Sequence, residues 1–313
     1  MSHGNTLGFA IENFLSQYTK YSRAAYGSVL NNLQTKFLAP DRELSTIEPI
    51  NLVQYMAFTD KREDIKSDST YNKYVKTLRT FFNWCVKMEL IASSPASVLK
   101  NRALRGSVPV GKAMPQGVLS RLIEYATDYE KVQRDARPLA LIRFLSDTGC
   151  RIGGAADLTR DRLNLTEPIT IDGATIYNAY LFEKGRKEPN IYYFSEETAQ
   201  AIRRCLLQHN GMIVFSSEGQ RILANNLASY FRRFGKKADC GSWGPHSLRH
   251  AKGHQLSQNF PLSVASRLLN NTEKTFIKYY APKEDKYLQE AAAHLLSQPT
   301  RKQSIIQLNS GTG

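Results

Sequence analysis

Residues 244–250 read Gly-Pro-His-Ser-Leu-Arg-His. Pro245 suits the first position of a helix, where its fixed φ is already helical and its missing N–H costs nothing. His246 and Arg249 then stand three apart on one face of the first turn. A guanidinium fork beside an imidazole at a helix start suits a phosphate on which charge develops. The same spacing also describes a capped helix whose basic residues have no ligand. A zinc reading starts from Cys240, His246, His250 and His254, because His250 and His254 are four apart on a helix. An acidic ligand is missing nearby and there is no H-E-x-x-H pattern, so no metal is expected.

Upstream, Asp147-Thr148-Gly149-Cys150-Arg151-Ile152-Gly153-Gly154 puts a turn before a helix. Arg151 is expected in that helix's first turn, where positive charge opposes the dipole. It therefore serves something other than helix stability, and a cation beside free N–H groups makes an anion site. A nucleotide P-loop is excluded by the missing G-K-[ST] ending. Residues 168–194 are β-rich, with a hairpin signal at Asp172-Gly173 and a second turn at Lys184-Gly185-Arg186-Lys187. Two turns predict three short strands. Lys184 alone reads as a solvated hairpin tip, and Tyr279-Tyr280 alone reads as core tyrosines.

The rest of the chain is helical in pattern. In 67–90, Tyr71, Val75, Leu78, Phe82 and Cys85 recur at helical spacing, with Asp68 near the N-cap. Asn72, Lys73, Lys76, Thr80, Asn83 and Lys87 fall on the opposite face. That stripe reads either as a solvated face or as one that lies on a phosphate backbone. Residues 97–115 carry Gly, Pro, Ser and four basic residues without an apolar period, which marks a linker. Helices are expected over about 116–130 and 137–146, and again from Ser195 on, ending in a tail from about Lys283.

The 313 residues hold 42 Lys+Arg against 28 Asp+Glu, a formal charge of +14. Residues 201–313 supply most of that surplus, with 16 basic and 6 acidic side chains. A basic field of this size favours polyanions, with nucleic acid as the default partner. Hydrophobic residues at 42% exclude a disordered chain. No apolar run reaches the ~18 residues of a membrane span, and no secretory signal is expected at the N-terminus. The four scattered cysteines suggest reduced thiols of an intracellular protein.

Taken in order, these segments resemble the tyrosine recombinase (phage integrase) family over about residues 7–290. Thr148-Gly149-Cys150-Arg151 matches the family's T-G-x-R, and Leu158 its leucine seven residues on. Glu183-Lys184-Gly185-Arg186-Lys187 matches the family's lysine-bearing run on the turn between its second and third strands. His246-Ser247-Leu248-Arg249-His250 matches H-x-L-R-H whole. Tyr280 stands nine after the last residue of Leu269-Asn270-Asn271, where the family has L-G-H. Two departures matter: Asn271 replaces the histidine of L-G-H, and Gly154 stands where an acid three after the arginine is common. An asparagine can donate a hydrogen bond to phosphate, but it cannot exchange a proton at neutral pH.

The resemblance implies a mainly α fold with a small three-stranded antiparallel sheet, in two domains forming a C-shaped clamp around duplex DNA. The implied order is a helical core-binding domain (1–100), a basic linker (101–114), a catalytic domain (115–283) and a C-terminal tail (284–313) that packs on a neighbouring subunit or on its own domain. Catalytic residues would be Arg151, Lys184, His246, Arg249, Asn271 and Tyr280. DNA contacts would come from Lys73, Lys76 and Lys87 on the helix stripe and from Arg102, Arg105 and Lys112 in the linker. The implied activity is site-specific recombination or integration through a 3′-phosphotyrosine and a Holliday junction, without metal, cofactor or ATP. Partners would be double-stranded DNA with a core site and a homotetramer on two duplexes, with room for accessory proteins and no membrane. The implied setting is a mobile element, a virus or a chromosome. A type IB topoisomerase and a catalytically degenerate DNA-binding member remain alternatives, and Tyr279 is a rival nucleophile.

Overall fold

A computed structural model describes residues 5–61, 65, 67–103, 113–182 and 188–280. The chain divides into two compact units, Met1–Gly106 and Ser107–Gly313.

The first unit is built from α1 (Leu7–Ser16), α2 (Lys20–Lys36), α3 (Pro49–Lys61) and α4 (Asp68–Lys87). α4 forms where the 3.6-residue pattern predicts. Val75, Leu78, Phe81, Phe82 and Cys85 are buried, while Lys73, Lys76, Asn83 and Lys87 are exposed on the other side. Its cap is Ser67 rather than the Asp68 region, because the Ser67 hydroxyl accepts from the Thr70 N–H at 3.2 Å. Asp68 instead opens the first turn, where a carboxylate favours the dipole. Phe14 sits edge-on to Phe81 and Trp84, with centroids 5.4 and 5.5 Å away, and this aromatic cluster joins α1 to α4. Truncating Phe81 to alanine there costs about 3–5 kcal/mol.

The second unit holds α5 (Gln116–Gln133), α6 (Arg137–Thr148), α7 (Ile152–Ala156), the sheet, α8 (Glu196–Leu206), α9 (Ala224–Lys237), α10 (Pro245–Asn259), α11 (Leu262–Leu268) and α12 (Glu273–Tyr280). α6 is buried along most of its length, which suits a helix packed against α8, α10 and the sheet. It stops at Gly149, whose φ of +60° is left-handed. A Cβ at that position would also meet Leu269 Cδ1 at 2.8 Å, so two independent constraints require glycine.

β1 (Leu163–Ile171), β2 (Ala174–Leu181) and β3 (Asn190–Ser195) form one antiparallel sheet in sequential order. Asp172 and Gly173 both have positive φ (49° and 79°), as a tight hairpin turn requires. β1 begins five residues before the expected start at 168. Leu163 pairs with Ala179 and Asn164 with Asn178, and pairing resumes at Ile169 after an irregularity. The Asn164 side chain stabilises that bulge by accepting from Glu167 N–H (3.0 Å) and donating to Glu167 C=O (3.1 Å). Pro168, which cannot donate to a ladder, falls inside the irregular stretch.

Candidate active site

Arg249 is 2% exposed, so its charge must be bonded. The first turn of α10 aims it at two backbone carbonyls: Nη1 donates to Gly149 C=O and Nη2 to Leu269 C=O, both at 2.8 Å. Nη2 also donates to Asn271 Oδ1 at 2.8 Å. Arg151 donates to the same oxygen from its own Nη2 at 3.4 Å. One asparagine oxygen thus receives both arginines. Arg151 is not inside the first turn of α7 as expected. It is the N-cap residue, with extended backbone at φ −72°, ψ 142°, and its side chain is exposed. That position leaves it free of the crowding of the preceding turn and lets it reach α12's side of the site.

The departures from the family pattern acquire physical reasons. Asn270 has φ +57°, a conformation that glycine or asparagine tolerates, and its amide donates to the Tyr192 hydroxyl at 3.4 Å. Gly154 is buried, and a Cβ there would lie 3.0 Å from Leu181 Cδ2, so an acidic side chain does not fit without moving Leu181. Arg151 is held by Asn271 instead.

Tyr280 ends α12 and is 3% exposed. Its ring lies among Phe276, His254 and His250, with centroids 5.0, 5.6 and 5.7 Å away. Its seat is Gly253 on α10: a Cβ there would sit 2.4–2.7 Å from three ring atoms. Burial raises the Tyr280 hydroxyl pKa above its ordinary value, and Arg249, then Arg151, pull against that rise. The phenol therefore lies within the electrostatic reach of both arginines. Tyr279 is half-buried beside it.

His246 is exposed at the start of α10, its ring edge-on to His250 at 4.7 Å. Cys240 is buried, and its thiol reaches the Ala238 carbonyl at 3.3 Å. Among the described residues no three His, Cys, Asp or Glu side chains gather as metal ligands, so the zinc spacing at 240–254 does not close into a cluster. Burial lowers the pKa of His254 and of Lys252, the latter opposed by Asp147. A cavity of about 630 Å³ opens beside Arg151 and His246, walled also by Phe182, Asn225 and Arg232.

Lys184, Arg105 and Lys112 lie outside the described residues. Lys73, Lys76 and Lys87 are exposed on α4. Arg102 is engaged within its own unit. It bonds Asp60 at 2.8 Å, approaches Asp68 at 3.6 Å and lies 3.8 Å over the Tyr71 ring. Among the described residues, no helix is long and apolar enough to cross a membrane.

The phage integrase family matches residues 112–286, more than half of the sequence. The chain belongs to that family, the tyrosine recombinases. It is similar to tyrosine recombinase XerC of Thermodesulfovibrio yellowstonii, with 24% identity over 90% of this chain and 94% of that protein. XerC of Leptospira interrogans is also 24% identical, over 76% of each chain. In fold it resembles the Tn1549 transposon integrase solved with circular intermediate DNA, with a TM-score of 0.68 at 14% identity over 93% of this chain and 100% of that one. It also resembles a lambda integrase dimer bound to a core site, with a TM-score of 0.65 at 12% identity over 87% and 77%. The expected fold class, mainly helical with one three-stranded antiparallel sheet, is thereby shown.

Proposed function

We propose that this chain is a site-specific DNA recombinase that cuts and rejoins strands through Tyr280. The observation that carries the reading is the junction at Asn271, where Arg249 and Arg151 share one oxygen beside the Tyr280 ring. A phenol of pKa ~10 is a poor nucleophile at neutral pH and needs a neutralised, aligned phosphate. Arg151 and Arg249 supply the neutralising charge, prepaid by the carbonyls and amide oxygen that orient them. His246 hydrogen-bonds the phosphate and assists proton transfer.

Attack forms the Tyr280 Oη–P bond and breaks the P–O5′ bond. The phenol proton passes toward His246 or water, and the departing 5′ oxygen takes a proton from Lys184. One phosphodiester is exchanged for another, so bond energy is kept and ATP is not required. A 5′-hydroxyl from a second strand reverses the step, and repetition on two duplexes passes through a Holliday junction. A four-subunit assembly fits that exchange; a lambda integrase tetramer bound to a Holliday junction is similar in fold at a TM-score of 0.64. The chain would act on DNA inside a cell.

The test is a covalent trap. Fragmented source DNA is selected for binding to the full chain. The recovered sites are nicked as suicide substrates, and denaturation-resistant protein–DNA bands are compared for wild type, Tyr280→Phe and Tyr279→Phe. A band lost only with Tyr280→Phe is expected. Tight binding without a wild-type band would instead leave a DNA-binding member without catalysis. Relaxation of plasmids lacking a selected site would favour a topoisomerase.

A further inference from the structure

The cavity beside Arg151 and His246 carries positive charge that the steps above do not use. Asn225, Ala228 and Arg232 line it from α9. They stand at i, i+3 and i+7 on one helix face, while Leu227, Phe231 and Phe234 are buried on the other. Core packing of α9 therefore fixes Arg232 toward the cavity. Its guanidinium lies over the backbone of Gly244: a Cβ there would come within 3.3 Å of Nε and 3.5 Å of Nη2. The residue just before the helix of His246 and Arg249 is thus one that leaves room for this arginine. Among the described residues Arg232 makes no hydrogen bond or ion pair, and it is exposed. Asp157, the acid among the described lining residues, is already bonded to Arg221 Nε at 2.7 Å and does not offset it.

A cationic cavity that shares two walls with the reacting phosphate calls for an anion continuous with that phosphate. At about 630 Å³ the space exceeds what one phosphate group requires. We propose that Arg232 binds the phosphodiester next to the scissile one on the cleaved strand, forming a second anion subsite that sets the register of the DNA before attack. This rests on the reading that Arg151 and His246 hold the scissile phosphate.

The test pairs residue with phosphate. Suicide substrates carry a neutral methylphosphonate at either neighbouring position in turn, and adduct formation by the full chain is timed. Wild type should lose about tenfold with one of the two substitutions, the worth of a charged hydrogen bond. Arg232→Ala should lose about as much on unmodified DNA and then be indifferent to that same methylphosphonate. Arg232→Lys should recover part of the sensitivity. Arg233→Ala, on the same helix outside the cavity lining, should respond like wild type. Additive losses with both methylphosphonates, or an Arg232→Ala protein that cuts normally, would overturn the proposal. If wild type forms no adduct, the nucleophile reading fails separately. The same cycle read in equilibrium affinity then decides the subsite.

Discussion

On the proposed reading, Arg249 is a single side chain held ready for chemistry by its surroundings. A buried guanidinium left unpaired would cost several kcal/mol, and here two carbonyls and one amide oxygen hold it. Replacing Arg249 with lysine would keep the charge but lose the fork that reaches all three. Gly253 works by what it lacks. Gly253→Ala places a methyl group within the van der Waals radius of the Tyr280 ring and displaces it from the arginines. We expect adduct formation to fall about a hundredfold, the scale of an ångström misplacement. DNA binding should be unchanged, because the helix itself tolerates alanine well. A Gly253→Ala protein that forms adduct at the wild-type rate would show that the seat is dispensable. At this scale the contiguous motifs were legible as sequence: Thr148-Gly149-Cys150-Arg151 and His246-Ser247-Leu248-Arg249-His250 each lie within about one turn, and their chemistry belongs to the proposed reading. Gly253 and the acceptor role of Asn271 were not, since each depends on an approach between segments far apart in sequence.

Between elements, the packing of α10 on α12 should respond to acid. His254 contacts the Tyr280 ring, and its pKa is lowered by burial. The folded state therefore binds its proton less readily than the unfolded chain does. The resulting stability is present above the unfolded value near pH 6.5 and is lost as pH falls through the lower folded value. Urea midpoints at about pH 7.5 and 5.5 should drop on acidification, and His254→Gln should drop less. An equal drop in both proteins would place the acid sensitivity elsewhere. The start of β1 shows why an element boundary can hide. The expected strand began at 168 because the bulge at 164–169 interrupts the alternation that marks a strand. The cap of α4 was misplaced by one residue for a simpler reason: Ser67 and Asp68 are both good N-caps, and only the hydrogen bond to Thr70 separates them.

For the whole molecule, the +14 charge should dominate binding. Affinity for a duplex is expected to fall about a thousandfold between roughly 50 and 200 mM salt if six or so phosphates are contacted. Fluorescence anisotropy with one labelled duplex measures the slope. Replacing Lys73, Lys76 and Lys87 together by alanine should reduce its magnitude by about three if the α4 stripe lies on DNA. An unchanged slope would assign those lysines to solvent. The class of fold was legible because helical and strand periods persist through most of the chain. What periodicity cannot show is which residues are already engaged. Arg102 reads as a linker cation, yet it is tied to Asp60 and stacked on Tyr71.

The carbonyls that hold Arg249 come from residues 149 and 269, and the tyrosine beside it from 280. During synthesis the ribosome releases these pieces in order, with Tyr280, the nucleophile of the proposed reading, last. At about 5–20 residues per second, roughly ten seconds separate the emergence of Arg151 from that of Tyr280. On the proposed reading, the nascent chain in that interval carries a phosphate-holding arginine but has no means of breaking a strand. By the same reading, a chain stalled or truncated before residue 280 would be a binder unable to cut.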